Sequence, residues 1–227
     1  MSERLTTDDI RSMTTAPWDE AKDAIRAGDL DWALDRVDVA VERWRSLQDY
    51  SINWITSLLT FIGDELGEEA VERSLRKTGE QYVRARREAS ADWASLPAAV
   101  RAKAIARAMV ANFGECEVSE DDEKITLSFR CGSGGRLIDE GRYEGENGYL
   151  VLHEQAPRTF SRDELPVYCA HCAVNNEIQP VEWTGYPITV ESPPTGKLGL
   201  CVHHIYRDMS SVPDDVYVRI GKEKPSS

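Results

Sequence analysis

The sequence predicts an α+β protein in which an N-terminal helical bundle packs on a smaller antiparallel β half that binds metal. Three observations predict this fold class. Apolar residues recur at intervals of three and four residues up to position 113, as they do along one face of a helix. After Gly114, apolar and polar residues alternate, as they do in half-buried strands. All five cysteines and all four histidines also follow Gly114, so the candidate metal ligands belong to the β half.

These patterns divide the chain of 227 residues into four parts. A hydrophobic content of 41% is sufficient to build a buried core at this length. The predicted parts are a leader (1–16), a helical bundle (17–113), a Cys- and His-rich α+β metal-binding domain (114–221) and a tail (222–227).

The helical half is predicted to begin at Pro17, because proline fits the first turn of a helix, and its first helix to end at Gly28. One long helix, or two nearly collinear ones, is predicted over 30–63, where the apolar positions alternate in steps of four and three. We expect this stripe to pack in the core of the bundle, although the long helix also offers a face for a homodimer. The stripe consists of Leu30, Leu34, Val37, Val41, Trp44, Gln48, Ser51, Ile55, Leu58 and Ile62.

Two shorter helices are predicted to complete the bundle. One begins near Glu68, where acidic residues suit the positive end of the helix dipole, and the other begins at Pro97. The second of these carries Arg101, Lys103 and Arg107, which we interpret as a solvated face.

The β half is predicted to open with a hairpin that turns at Asp121 and Asp122. The alternation through its second strand places Cys131 on the inward face at the end of that strand. Further strands are predicted over 148–153, over 181–190 as two short strands joined at Gly185, over 198–206 and over 215–220.

Charge and hydropathy narrow the classes of partner. A net charge of -13 and an isoelectric point near 4.8 argue against binding to nucleic acid, which needs clustered cations. The apolar stretches are too short and interrupted to predict a membrane-spanning helix. The first residues contain no basic segment that leads into an apolar one, so a cytoplasmic location is expected. An odd number of cysteines in a reducing compartment leaves thiols available for metal.

The segment Tyr168-Cys169-Ala170-His171-Cys172 carries the strongest chemical signal. Two thiolates three residues apart bind a single soft ion, and zinc is the usual choice, with iron as the alternative. Cys131 and Cys201 are predicted to complete the ligand set, and His203 is the alternative fourth ligand. His171 and His204 supply further imidazoles.

The segment Cys131-Gly-Ser-Gly-Gly-Arg136 is predicted to form a turn that presents backbone N–H groups to an anion. It lacks the Gly-Lys-Ser/Thr of a phosphate-binding loop, and it is not expected to open a helix. Arg130 and Arg136 flank the turn and suit a carboxylate substrate. The remaining predicted site residues are Glu182 and His204 as proton carriers, and Trp183 and Tyr186 as pocket walls.

These residues support three functional hypotheses. The first is a zinc-dependent hydrolase or lyase in which the thiolate-bound metal activates water or polarises a small-molecule substrate. The second is a non-catalytic module with a structural zinc and a helical surface for a protein partner. The third is a metal-free enzyme in which Cys131 is the nucleophile and a histidine is the base.

Three motifs resemble a known family. They are Phe129-Arg130-Cys131 at a strand end, Tyr168-Cys169 before a polar turn, and Gly199-Leu-Cys-Val-His-His-Ile-Tyr-Arg207. Over 125–207, the chain resembles the L-2-amino-thiazoline-4-carboxylic acid hydrolase-like proteins and the related 4-vinyl-reductase-type domains. The resemblance implies hydrolytic opening of a small ring acid that contains sulfur and nitrogen.

Overall fold

The computed structural model describes residues 5–84 and 93–225 and contains two compact units, Met1–Ser51 and Ile52–Ser227. The parts of the predicted leader, bundle and tail that fall on 1–4, 85–92 and 226–227 lie outside the described residues. None of the helices in the described ranges combines the length and the apolar character needed to cross a bilayer.

The first unit is helical. It contains α1 (Thr7–Thr14), which lies within the predicted leader, α2 (Pro17–Ala27) and the start of α3 (Leu30–Leu66). The predicted bounds of α2 are confirmed, because Pro17 opens the helix and Gly28 closes it with φ of 79°. In this left-handed conformation the Gly28 N–H donates to the carbonyl of Ile25, which satisfies an otherwise unpaired group at the helix end.

The predicted long helix is confirmed as α3. The expected burial of its stripe is wrong for most of the apolar positions, although Ile62 at the C-terminal end is partly buried and packs against the core of the second unit. The exposed fractions of Leu30, Leu34, Val37, Val41 and Trp44 lie between 46% and 65%. Among the described residues of the first unit, the buried hydrophobic side chains are small, and they come from α2 and from the flank of α3. These buried residues are Pro17, Ala21, Ala24 and Ala33.

The second unit contains a four-stranded antiparallel sheet in the order β1-β2-β6-β5. Its strands are β1 (Glu115–Glu120), β2 (Lys124–Arg130), β5 (Val190–Ser192) and β6 (Cys201–Tyr206), and a separate ribbon pairs β3 (Val151–Leu152) with β4 (Leu165–Pro166). The predicted hairpin is confirmed, with Asp121 accepting backbone N–H groups in its turn. The α+β class is therefore confirmed.

Helices cover this sheet and extend beyond it. They are α4 (Glu68–Thr78), α5 (Ala98–Ala111), α6 (Gly134–Asp139), a π-helical segment (Cys172–Ile178) that continues into α7 (Gln179–Thr184), and α8 (Asp214–Arg219). One core cluster joins α5 to β2 and β6 through residues such as Ala102, Leu127 and Ile205. A larger cluster joins α4 to the π-helical segment and α8 through residues such as Leu75, Val174 and Tyr217.

Two predicted strands are helices in the structure. The stretch predicted as two strands over 181–190 contains most of α7, which has Pro180 in its first turn and ends at Gly185 with φ of 82°. The stretch over 215–220 lies almost entirely in α8, where Pro213 and the acidic pair Asp214 and Asp215 favour a helix start. These signals outweigh the strand preference of the valines that both helices contain.

The glycine segment after Cys131 is also helical, against expectation. It opens α6, and both Gly134 and Gly135 are buried. A Cβ atom on Gly134 would stand 2.8 Å from the Tyr168 ring and 3.2 Å from Cys169 Sγ. Glycine is therefore required here because α6 packs closely against the segment that carries Cys169.

Arg101 on α5 is not solvated, contrary to its interpretation from sequence. Its side chain is 1% exposed and donates to the carbonyls of Leu96 and Tyr206 and to Met209 Sδ. Burial lowers the pKa of the guanidinium. Arg101 therefore fastens α5 to the C-terminal end of β6 through hydrogen bonds to backbone acceptors.

Replacing Arg101 with Met is expected to lower the free energy of unfolding by about 2–4 kcal/mol, because buried carbonyls lose their donors. The matched control is Lys103→Met on the exposed face of the same helix, where a change within about 0.5 kcal/mol is expected. Chemical denaturation of both variants measures the difference. Equal stabilities would contradict the assigned role of Arg101.

Candidate metal centre

Four cysteines from three separate stretches of the second unit line one cavity of about 20 Å³. Cys131 follows β2, Cys169 and Cys172 lie in the helical turns after β4, and Cys201 opens β6. Other residues complete the wall: Gly134, Tyr168, His171, Glu191, Pro193 and His203.

The strand register explains how distant cysteines meet. Cys201 stands opposite Phe129 in the β2–β6 pair, and Cys131 follows Phe129 by two residues, so both thiols lie at one end of the sheet. Cys169 and Cys172 are three residues apart in helical turns, which places both on one face. Because α6 packs on these turns at Gly134, the helical thiols face the thiols at the strand ends.

The thiols at the strand ends interact directly. A hydrogen bond from Cys201 lowers the pKa of Cys131 to about 5 against the opposing effect of burial, and the Gly135 N–H and Ser133 support the thiolate. The same hydrogen bond, together with burial, raises the pKa of Cys201. The two thiols therefore titrate as a coupled pair, in which Cys131 loses its proton more readily than Cys201.

The thiols on the helical turns are more deeply buried. Burial raises the pKa of both Cys169 and Cys172, and nearby negative groups, among them Glu191, raise it further. His171 lies beside them, with its Nδ1 at 2.5 Å from the Tyr168 carbonyl and its Nε2 at 3.5 Å from Cys172 Sγ. Because a carbonyl only accepts, Nδ1 must carry the proton, and Nε2 is left to accept from the thiol.

Glu191 and His203 place further polar groups in the cavity wall. They stand opposite each other in the β5–β6 pair, are 1% and 5% exposed, and have their Oε1 and Nδ1 atoms 3.5 Å apart. Asn176 donates to Glu191 Oε1 at 2.8 Å. Within the described residues, neither Glu191 Oε2 nor His203 Nδ1 has a hydrogen-bond partner. Buried polar atoms normally have one, so these two atoms point to a site that accommodates an additional group.

One arginine offsets part of the negative charge that thiolates would bring. Arg162 donates to the Pro193 carbonyl at 3.1 Å. Its charge acts to lower the pKa of Cys169, and the charges of Cys169 and Cys201 act to raise the pKa of Arg162 against the larger effect of burial. The cavity therefore has a cation close enough to favour ionised sulfur.

The four cysteines line one cavity, but their sulfur atoms are not arranged as the ligands of a single metal ion. Across residues 5–84 and 93–225, no group of three or more His, Cys, Asp or Glu side chains already stands in a metal-binding arrangement. Tetrahedral zinc requires four sulfurs at about 2.3 Å from one point. Side-chain rotations within the cavity would be needed to reach that geometry.

The other predicted site residues lie away from this cavity. Glu182 is exposed and pairs with Arg76 at 2.8 Å and Lys222 at 2.6 Å. Trp183 and Tyr186, the predicted pocket walls, are half-buried in and after α7 and do not line the cavity.

The remaining three predicted residues have partners of their own. His204 faces the opposite side of β6 from His203, and its Nδ1 lies 3.0 Å from Thr126 Oγ1. Arg130 pairs with Asp139 at 3.0 Å, and Arg136 pairs with Glu140 at 2.6 Å. The structure therefore does not bring the predicted proton carriers or substrate-binding residues to the cysteines.

Sequence reasoning missed Glu191, which the structure places beside the thiols. The only signal in the sequence is that Glu191 is the one charged residue between Tyr186 and Pro194. It also missed Glu177, which is fully buried and accepts from the Glu191 N–H and from Arg219. Position within a helical segment gave no indication of this burial.

Comparisons with known proteins do not identify the chain. No protein-family model, no curated protein and no solved structure matches it. The resemblance to the thiazoline-carboxylate hydrolase-like proteins therefore stays a prediction.

The buried carboxyl of Glu177 is expected to make the free energy of unfolding depend on pH. Burial raises its pKa to about 8 against the lowering effect of Arg219, while Glu191 acts to raise it. The pKa of Glu177 in the folded state thus exceeds its unfolded value of about 4.3. The stabilisation of the fold that follows from this raised pKa is therefore complete below that pH and is lost as the pH rises through about 8. The loss proceeds at up to about 1.4 kcal/mol per pH unit.

Glu177→Gln keeps an acceptor but cannot ionise, so its stability should fall less between pH 6 and 9 than that of the unchanged chain. Denaturant unfolding of both proteins at several pH values measures the two slopes. Parallel curves would show that Glu177 is already ionised at pH 6.

Proposed function

We propose that this protein binds one zinc ion through Cys131, Cys169, Cys172 and Cys201, and that the ion is a structural centre. The observation that carries the proposal is the convergence of these four thiols on one buried cavity. Four thiolates form a closed tetrahedral site, the usual form of structural zinc. Iron is the alternative metal for the same soft ligands.

The size of the cavity supports a structural role. A space of about 20 Å³ accommodates one ion or one water molecule, whereas small-molecule pockets typically measure about 300–1,000 Å³. A larger cavity of about 250 Å³ lies between α5 and the β1–β2 hairpin, but its wall contains no cysteine or histidine. A substrate in that cavity would not meet the proposed metal ligands.

The positions of the ligands indicate what the ion would stabilise. Cys201 lies in the sheet and Cys131 directly follows its strand β2, whereas Cys169 and Cys172 belong to the helical layer. A zinc ion would join the two layers at one point. Because such sites do not pre-exist in the unfolded chain, the binding free energy of about 10 kcal/mol or more contributes to folding.

Zinc content provides the first test. Protein purified without added metal should contain one equivalent of zinc, and Cys169→Ser and Cys172→Ser should each lose most of it. Cys116→Ser is the matched control, because Cys116 lies on β1 and does not line the cavity. Removal of the metal by a chelator should lower the melting temperature by at least about 10 °C.

Two results would contradict the proposal. The first is a chain without metal in every preparation, which would favour the hypothesis that Cys131 is a nucleophile. The second is loss of zinc from Cys116→Ser but not from the cavity variants.

A second candidate function is zinc-dependent hydrolysis or lyase chemistry on a small carboxylate. The observation that favours it is that neither Glu191 Oε2 nor His203 Nδ1, both in the cavity wall, has a hydrogen-bond partner among the described residues, although His203 Nδ1 lies 3.5 Å from Glu191 Oε1. In this case three thiolates would hold the ion, His203 or an open position would replace Cys201, and Glu191 would accept a proton from water.

Cobalt substitution separates the two functions. A closed four-thiolate site should give an absorption spectrum that does not change when azide or a small thiol is added, because no coordination position is open. This is the expected result. A spectrum that shifts on addition, and a weaker shift in Glu191→Gln, would favour the catalytic function instead.

A further inference from the structure

The larger cavity, between α5 and the β1–β2 hairpin, shares none of the residues of the cysteine cavity wall among the described positions. Val118 on β1 stands opposite Leu127 on β2, so both side chains lie on the sheet face that α5 covers. The α5 residues that line the cavity are mostly alanines, which are too short to cover Val118, and its side chain stays 63% exposed. The cavity therefore has an apolar wall that is open to solvent at Val118. The alanines are Ala99, Ala102 and Ala106.

Two cations on α5 lie at this cavity and have no acidic partner within residues 5–84 and 93–225. Lys103 is part of the cavity wall, and Arg107 follows it by one helical turn on the same face. Like charges at this spacing repel each other. The α5 helix itself contains no Asp or Glu to neutralise them, although the chain has a net charge of -13. This positive charge is therefore available to a group from outside the chain.

The other charges around the cavity do not cancel that of Lys103. Glu120 also lines the wall, but its carboxylate already pairs with Arg207 at 2.5 Å. Ala99 lies in the first turn of α5, where the helix dipole is positive and where no acidic side chain is present. The cavity thus combines an apolar wall with an unbalanced positive charge, which suits an anion with an apolar body.

We propose that the larger cavity binds a small carboxylic acid with an apolar body, whose carboxylate pairs with Lys103. A volume of about 250 Å³ is slightly below the usual range of about 300–1,000 Å³ for small-molecule pockets. The body is therefore no larger than one aromatic ring with a short chain. A single carboxylate charge matches the single unpaired ammonium in the wall. The site is separate from the cysteine cavity and does not depend on the proposed function.

An amide NMR titration of the full chain tests the site with three probes that share one apolar body: phenylbutyrate, phenylbutanol and phenylbutylamine. Phenylbutyrate should bind with a dissociation constant of about 1 mM or less and should shift the amide signals of Lys103, Val118 and Ile125. Phenylbutanol should bind about tenfold more weakly, because it lacks the charge. Absence of binding, equal affinities for the three probes, or shifts confined to other residues would overturn the proposal.

Substitution of the lysine tests the charge pairing. Lys103→Met should weaken phenylbutyrate about tenfold and leave phenylbutanol unchanged, because only the charged contact is lost. Lys103→Glu should make phenylbutylamine the tightest of the three probes. Lys77→Met is the matched control: Lys77 is an exposed lysine on α4 that does not line the cavity, and phenylbutyrate should bind this variant normally. Equal weakening by Lys77→Met and Lys103→Met would overturn the pairing, because net charge alone would then explain it.

Filling the cavity tests its location. Ala106→Leu and Ala99→Leu should each abolish the binding of both phenylbutyrate and phenylbutanol, because the added side chain occupies the apolar space. Ala104→Leu, on the exposed face of α5, is the control and should bind both probes as the unchanged chain does. Denaturation curves identify which variants are folded, and exposed Ala99 offers the milder change. Full binding by a folded Ala99→Leu or Ala106→Leu protein would overturn the proposal. Zinc content should be the same in all these proteins, so this test is independent of the metal.

Discussion

The burial of several sulfur atoms at one point of the second unit constrains how that unit is built. Thiols at the ends of β2 and β6 and thiols from helical turns line one cavity, and α6 packs so closely on these turns that a Cβ atom at position 134 would overlap the Tyr168 ring. Burial raises the pKa of the Cys169 thiol, and the charges of Cys131 and Glu191 raise it further, so a nearby cation is needed to favour the Cys169 thiolate. Arg162 supplies part of that positive charge, and the proposed ion would supply the rest.

Sequence patterns predicted the parts of the fold in which local signals agree with tertiary packing. The helix caps at Pro17 and Gly28, the hairpin turn at Asp121 and the long periodic stretch of α3 are all local features. The strands predicted near Val181 and after Pro213 are helices in the structure, whereas Val190 does open strand β5. In both helices, a proline and acidic residues at the first turn outweigh the strand preference of the valines.

The candidate site was predictable in its four cysteines and in His171 and His203, because Cys-x-x-Cys and nearby imidazoles have a chemical meaning that does not depend on the fold. The register of β5 against β6, which brings Glu191 opposite His203, cannot be inferred from spacing. The burial of Arg101 and Glu177 could not be predicted from the sequence either, since charged residues are predicted to lie on the surface unless a partner is known. The exposed stripe of α3 shows a different limit of sequence patterns. Its periodicity predicts that this face of the helix packs against another surface, but it does not predict which surface.

The most direct test of the central claim is X-ray absorption at the zinc edge of the full chain. Binding through the four cavity cysteines predicts a first shell of four sulfurs at about 2.3 Å and no nitrogen or oxygen contribution. A shell of three sulfurs with one nitrogen or oxygen would keep the metal but replace the structural centre with an open or histidine-bound one. A shell made of nitrogen and oxygen alone would contradict the account, because the cysteine cavity would then not be where the metal binds.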